Sequence, residues 1–486
     1  MRSVSSIEAP RQFAPDAGAH SVQGYAVLVM MVAVPALCIF GGQAGLLRFV
    51  FPLLSVAACG FLLWRSKPLY VGLVFWLWFV TPFLARVVDF QAGFTPTNSV
   101  ELAPYLAAAV SGASLLFNLR RLASREALPY ICALAAVLYG TVLGLRYLPL
   151  FDVLRALVNW LVPVIFGLFV YQHRQYYAEF RRAIEKSFLY GVLLLGAYGI
   201  YQYFLLPEWD RTWMLNVQLN SFGAADEMKT RPFSTMNAPA VFAATMACGL
   251  LVLFNLKGKL RLPAAAAGFG GLILTLSRAS WISLAVGSIY LIFRLEMRAR
   301  LRLGLAAVAS AAVLIGLAQS PGVKEVVAER VTTLSQPGQD ASFSARIEGH
   351  ENALRELMQS PWGEGMGSTD ALHSTSGDDP NIGPHDSTLL ELLYSLGWVG
   401  AFLYTLGFGL LAAQLVRKGS SDRFVLSAQA VLIGLMVQSL LNSVFLGALG
   451  FVVWTFAAMT LSAPGAPESS AYTEREPEAE GRLARV

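Results

Sequence analysis

The sequence predicts an all-α fold, a polytopic transmembrane helical bundle of about 12–14 spans, because apolar runs near the ~20 residues that cross hydrocarbon recur along nearly its whole length. Composition agrees: 56% of the 486 residues are hydrophobic and 14% charged, against roughly 25% charged in soluble domains. Charge placement agrees too. Lys and Arg gather in every second loop, at Arg65/Lys67, Arg120/Arg121/Arg125, Arg174/Arg181/Arg182/Lys186, Lys257/Lys259/Arg261, Arg294/Arg298/Arg300/Arg302 and Arg417/Lys418/Arg423. The positive-inside rule makes those loops cytoplasmic. An open sheet is excluded, since backbone polar groups in lipid must be satisfied within their own segment.

Taken in order, residues 1–22 are polar, carry Pro10 and Pro15, and lack a signal-peptide cleavage pattern. They read as a disordered cytoplasmic tail. Residues 23–462 form one transmembrane domain, with apolar runs at 25–40, 69–84, 188–206, 241–256 and 424–441. The runs 262–277 and 281–293 are short, which is why 12 spans compete with 14. Residues 463–486, rich in Pro, Glu, Ser and Arg, read as a second disordered cytoplasmic tail. A formal charge of +5 spread over short loops is no nucleic-acid signal. Cys38, Cys59, Cys132 and Cys248 lie in apolar runs without paired spacing, so helix packing is their expected role.

Two loops on the side opposite the basic clusters are long enough to hold chemistry, 207–237 and 320–385. Within the second, Val323, Val326, Val327, Val331 and Leu334 recur at helical spacing, as do Ile347, Leu354, Leu357 and Met358. They predict two short amphipathic helices on the membrane surface or on the bundle. Pro361-Trp362-Gly363-Glu364-Gly365-Met366-Gly367 follows, expected to be a loose segment rich in turn formers. A spacer cap is the plain alternative. The loop nevertheless gathers Arg330, Arg346, Arg355, His350, His373 and His385, more His and Arg than any other stretch.

His385 stands where this loop enters an apolar helix, and a neutral imidazole there can accept a proton from a hydroxyl. A lone interfacial histidine would ordinarily only cap a helix. Here Asp386, Ser387 and Thr388 already offer capping oxygens. Arg231, Arg278 and Arg346 lie at or near the same face, where guanidinium suits phosphate or diphosphate. Each alone would be read as snorkelling to lipid phosphate. No metal spacing, CxxC or Walker-type loop occurs, so neither metal nor cofactor is expected, and Gly268-Phe269-Gly270-Gly271 is read as a helix-packing face.

Ser277-Arg278-Ala279-Ser280-Trp281, Arg346 with Ala353-Leu354, Pro361 to Gly367, and Pro384-His385-Asp386-Ser387 with Glu391 and Leu396-Gly397-Trp398-Val399-Gly400 together resemble the O-antigen ligase and O-antigen polymerase superfamily. Arg231 with Asn237 and Pro239 also fits that pattern. The resemblance covers about a third of the chain. It implies a metal-independent glycosyltransferase of the bacterial inner membrane, with both termini cytoplasmic and the active face periplasmic. Such enzymes pass a glycan from undecaprenyl diphosphate to an acceptor, which is another glycan or lipid A core. By that resemblance His385 activates the acceptor, Arg231 and Arg346 hold the diphosphate, Arg278 supports them and Arg330 stands in reserve. Asp386 and Glu391 are supporting positions, and Asp386 replaces the asparagine usual in the family, which could raise or orient His385. Partners among polysaccharide assembly and export proteins would fit. Polymerisation of exopolysaccharide or O-antigen is the favoured branch and ligation to lipid A core the alternative. A lipid-linked glycan transporter is more distant, since it would call for central charges and an internal repeat.

Overall fold

The computed structural model describes residues 17–116, 124–294, 358–369, 387–417 and 422–464, with isolated positions 297, 300, 351, 354 and 355. The protein is an all-α polytopic membrane protein. Among the described residues seven helices are long and apolar enough to cross a bilayer: Val22–Phe40, Ala44–Arg65, Lys67–Ala92, Arg125–Tyr147, Leu150–Gln172, Arg174–Leu205 and Thr388–Val416. Four shorter apolar helices accompany them, Pro239–Leu253, Arg261–Leu274, Arg423–Gln438 and Gly447–Ser462.

In chain order the helices are α1 (Ala17–Phe40), α2 (Leu47–Arg65), α3 (Lys67–Ala92), α4 (Ala103–Ala109), α5 (Ser111–Leu116), α6 (Leu128–Tyr147), α7 (Leu150–Gln172) and α8 (Tyr177–Leu205). They continue as α9 (Glu208–Val217), α10 (Pro239–Leu253), α11 (Arg261–Leu274), α12 (Arg278–Arg294), α13 (Thr388–Arg417), α14 (Arg423–Gln438) and α15 (Gly447–Ser462). α1 starts inside the stretch expected to be tail. α3 is the most enclosed of the seven long helices and α1 the least. Around α3 the rings of Phe75, Phe79, Phe188 and Phe451 pack edge to face or tilted, with centroids 4.8 Å apart for Phe75 and Phe451. Cys59 and Cys248 are buried in α2 and α10, in keeping with a packing role.

Small residues let helices approach, as lipid-embedded packing requires. A Cβ on Gly196 of α8 would stand 2.4 Å from the Ala267 carbonyl carbon of α11, and one on Gly268 2.4 Å from Val192. The glycine-rich face of α11 is therefore a packing face, as its sequence suggests.

Residues 361–367 depart from the expectation of a loose segment. They run between α6 and α13 with their backbone paired on both sides. Met366 N–H donates to Gly140 O (2.9 Å), Glu364 N–H to Tyr394 O (3.0 Å) and Trp398 N–H to Pro361 O (3.0 Å). Gly363, Gly365 and Gly367 all have positive φ, at 81°, 92° and 98°. Gly365 meets Gly144, where a Cβ would lie 2.3 Å from the amide nitrogen, and Gly397 meets the Trp362 carbonyl at 2.0 Å by the same measure. Gly397 (φ 59°, ψ −175°) breaks α13 at this crossing. Non-helical backbone can sit within a helical bundle only where protein encloses it and satisfies its polar groups. Glycine supplies the conformation and the clearance together.

The two ends of the bundle are distinct. At one, Arg181 pairs with Asp422 (2.9 Å) and Asn255 Nδ2 donates to Arg423 O (2.7 Å), which joins three of the basic loops. The candidate site lies at the other.

Candidate functional site

The site end is organised by Arg86, which the sequence reading passed over. It sits on α3, fully buried, and its guanidinium is shared four ways. Nε donates to Asp210 Oδ1 (2.8 Å), Nη1 to Met236 O (3.0 Å) and Asn237 Oδ1 (2.7 Å), and Nη2 to Ser234 O. Asp210 on α9 is equally buried and also accepts from Tyr198 Oη (2.8 Å) and Gln202 Nε2 (2.6 Å). Gln202 Oε1 in turn takes the amides of Phe233 (2.9 Å) and Ser234 (2.8 Å). An ion pair away from water persists only when its remaining lone pairs and protons are also satisfied, and here they are. The result turns 207–237 into folded structure. α9 covers a small separate core of Leu206, Trp213, Met214, Phe222 and Phe233. The Phe233 ring lies 4.8 Å from the Arg86 guanidinium carbon.

This frame carries Arg231 to its place. Its amide donates to Phe222 O (2.7 Å) and its Nε to Thr275 O (3.0 Å) in the turn between α11 and α12. Arg278 is the first residue of α12, three positions beyond Thr275. The structure thus brings Arg231 onto the turn that leads to Arg278. A cation in the first helical turn faces the positive end of the helix dipole, which disfavours it by about 0.3–1 kcal/mol. Helix stability does not account for an arginine there. A helix start and guanidinium groups attract the same kind of ligand, an anion. Ser234 and Leu276, one on each strand of this contact, both adopt left-handed backbone at φ 54°. Such non-glycine outliers concentrate at functional sites.

A run of polar contacts joins that turn to the start of α13. Ser277 Oγ and Ser280 Oγ are 3.1 Å apart, and Gln438 Nε2 donates to Ser280 Oγ (3.3 Å). The next residue, Ser439, accepts the Thr388 amide through its carbonyl (3.0 Å). Thr388 Oγ1 donates to Asn442 O (2.8 Å) and accepts from Val444 N–H (3.1 Å). The head of α13, three positions after His385 in sequence, is thereby tied to the Arg231–Arg278 turn. Glu391, buried one turn further on, accepts from Thr369 Oγ1 (3.1 Å) and Ser395 Oγ (3.4 Å), so 358–369 and α13 meet again there. Glu391 therefore links residue 369 of the loop to α13.

His385, Asp386, Arg346 and Arg330 lie outside the described residues, as do His350 and His373 and the first expected amphipathic helix. Of the expected site residues, Arg231 bonds the turn that leads into Arg278, and Glu391 lies on the helix tied to that turn. Missed in the sequence were Arg86, Gln202, Glu101 and Gln438, and Asp210, a residue of the 207–237 loop, was given no role. Arg86 carried a signal, an ionisable side chain inside an apolar run. The others act through partners far away in sequence. Glu101, in the 3-10 turn Ser99–Leu102, accepts from Asn237 Nδ2. Burial raises its carboxyl above the usual carboxylate range, and Asn237, Arg86 and Arg155 oppose that rise while Asp89 adds to it.

Residues 263–405 match the family described as O-antigen ligase. That segment contains the Arg278 turn, the threaded glycine segment and the first part of α13. Comparison with curated proteins gives no match.

Proposed function

We propose that this chain is a glycosyltransferase of the bacterial inner membrane. It moves a glycan from undecaprenyl diphosphate to an acceptor hydroxyl at the periplasmic face, and polymerises exopolysaccharide or O-antigen repeat units. The observation that carries the reading is the meeting of Arg231 with the turn that begins α12 at Arg278, tied through Gln438–Ser439 to the head of α13. The match of 263–405 to the O-antigen ligase family supports it at the level of the superfamily.

The chemistry asks little covalent work of the protein. Diphosphate is a good leaving group, so its charge must be met and the nucleophile positioned and deprotonated. Arg231 and Arg278 meet the charge, with Arg346 and Arg330 assigned the same task from sequence. His385 takes the proton of the acceptor hydroxyl as its oxygen attacks the anomeric carbon, and the diphosphate leaves on its lipid. The lipid donor, the glycan acceptor and any assembly or export partners belong to this proposal. So do the cytoplasmic placing of both termini and the assignment of the basic loops to that side.

Ligation of finished chains to lipid A core is the second reading, favoured by the description of the matching family. The purified protein, incubated in lipid with the undecaprenyl-diphosphate-linked repeat unit of its host, separates the two. A ladder on a gel from wild type identifies polymerisation, and transfer only after lipid A core is added identifies ligation. His385→Ala should cut either product by about 10²–10⁴-fold while donor binding persists. Normal product from that variant removes the base role. Silence with both acceptors favours a transporter instead.

A further inference from the structure

The last turn of α8 marks one surface of the bilayer. Tyr190, Leu194, Ala197, Tyr201, Phe204 and Leu205 recur at helical spacing and are all exposed, while Phe188, Val192 and Leu195 on the opposite side are buried. The exposed stripe of a spanning helix faces lipid. No charged residue follows Lys186 before the helix ends at Leu205. That uncharged stretch of about 19 residues measures roughly 29 Å at ~1.5 Å per residue, close to the ~30 Å hydrocarbon core. Leu205 therefore lies at the outer edge of the hydrocarbon. Tyr201, Tyr203 and Trp209 cluster near this level, as aromatic residues do where hydrocarbon meets headgroups.

The turn 226–229 is fastened at the same level. Helical bonding would offer the Tyr203 carbonyl to residue 207, but Pro207 has no N–H. Met228 N–H donates to Tyr203 O instead (2.8 Å). Met228 adopts φ 58°, left-handed backbone that a long side chain rarely takes and that asparagine or glycine occupies at less cost. The side chain held there is 59% exposed, against 48% for Phe204 and 58% for Leu205. On either side of it Asp226 and Lys229 form an exposed ion pair (3.6 Å). An apolar side chain projected from a charged turn on strained backbone gains nothing from water. At the end of a lipid-facing helix it gains acyl contact, and the flexible thioether stem suits that irregular boundary.

We propose that the 226–229 turn is a membrane anchor. Met228 sits among acyl chains just below the headgroups of the leaflet on the site side, while Asp226 and Lys229 stay at headgroup level. The same turn leads through Thr230 to Arg231, so the anchor sets the height of that arginine over the hydrocarbon. This contact depends on the membrane fold alone and not on the reaction proposed above.

The test places photo-methionine, whose diazirine keeps the side chain's shape, in full-length protein in liposomes of phosphatidylethanolamine and phosphatidylglycerol. After illumination, mass mapping reads what each methionine has joined. Met30, 44% exposed on spanning α1, reports lipid contact, and Met246, fully buried, reports none. Met228 should carry phospholipid within about threefold of Met30 and roughly tenfold above Met246. Water adducts at Met228 without phospholipid overturn the anchor. Crosslinking there to protein, whether another segment of this chain or a second copy, also overturns it.

Met228→Asn separates anchoring from backbone geometry. Asparagine fits φ 58° better than methionine, so a water-facing turn would hold its hydrogen bonds as well or better. An anchored turn loses its lipid contact instead. Hydrogen exchange in liposomes should then quicken roughly threefold to tenfold at the amides of residues 228 and 231, bonded to Tyr203 O and Phe222 O. Unchanged or slower exchange overturns the anchor even where phospholipid adducts form.

Discussion

Replacing Arg86 by methionine should unfasten 207–237 while leaving the long helices in place. The substitution keeps an unbranched apolar stem and deletes the guanidinium, and with it four polar contacts. Asp210 is fully buried, so its carboxylate loses its only ion-pair partner among the described residues and keeps Tyr198 and Gln202. Removing one member of a buried pair costs about 3–5 kcal/mol, most of it the cost of the stranded charge. At 1.4 kcal/mol per factor of ten, that is a rise in local opening of roughly 10²- to 4 × 10³-fold. Hydrogen exchange reads it directly at the amides of Phe233 and Ser234, which donate to Gln202 Oε1 beside Asp210. Arg86→Lys should fall between, since ammonium keeps the charge and loses the fork. Adding Asp210→Asn to Arg86→Met should recover part of the loss, because no charge is then stranded. Protection at those two amides within about threefold of wild type in Arg86→Met would refute the reasoning, as would simple additivity in the double variant.

Three other outcomes are expected. Gly365→Ala should destabilise the protein by about 2–4 kcal/mol, since alanine at φ 92° is strained and its Cβ meets Gly144 N; a thermal melt in micelles checks it. Glu101→Gln should raise the melting temperature at pH 7.5 and change it little at pH 5. The folded carboxyl titrates above its unfolded value, so wild-type stability is full below the unfolded pKa and falls as pH rises toward the folded one. An unchanged pH profile would remove that account. Thr388→Val should leave Val444 N–H without its side-chain acceptor at a cost of about 1–3 kcal/mol, read as faster exchange at that amide.

Helices were legible because the bilayer fixes their length and composition. The runs at 25–40, 188–206 and 241–256 fall on α1, α8 and α10. α3 was read too short, ending at 84, because Arg86 and Asp89 interrupt its apolar run. The helix continues to Ala92 because Asp210, 124 positions away, neutralises Arg86. No local spacing reveals a partner that distant. The same limit hid the order in 207–237, whose core depends on Trp213, Phe222 and Phe233 meeting across a loop. Pro361 to Gly367 looked loose because glycine favours turns. What they also permit, close backbone contact with Gly144 and Gly397, becomes visible only once α6 and α13 are side by side. Arg231 and Arg278 were singled out by charge and side, and the bond from Arg231 to Thr275, three positions before Arg278, follows from the α9 frame rather than from either motif.

The glycine seam between α6 and α13 also dictates an order of manufacture. α6 enters the bilayer early in synthesis, whereas Trp362, whose carbonyl Tyr139 Oη bonds, is made 223 positions later. Until then the notch at Gly140 and Gly144 has no backbone to fill it, and lipid tails offer no hydrogen bond to Gly140 O in place of Met366 N–H. Closing the bundle is therefore a late event with high contact order, and the half-made protein must keep α6 from pairing with whatever small-residue helix arrives first. A chain cut before residue 361 would hold every helix up to α12 and still lack the piece that locks α6.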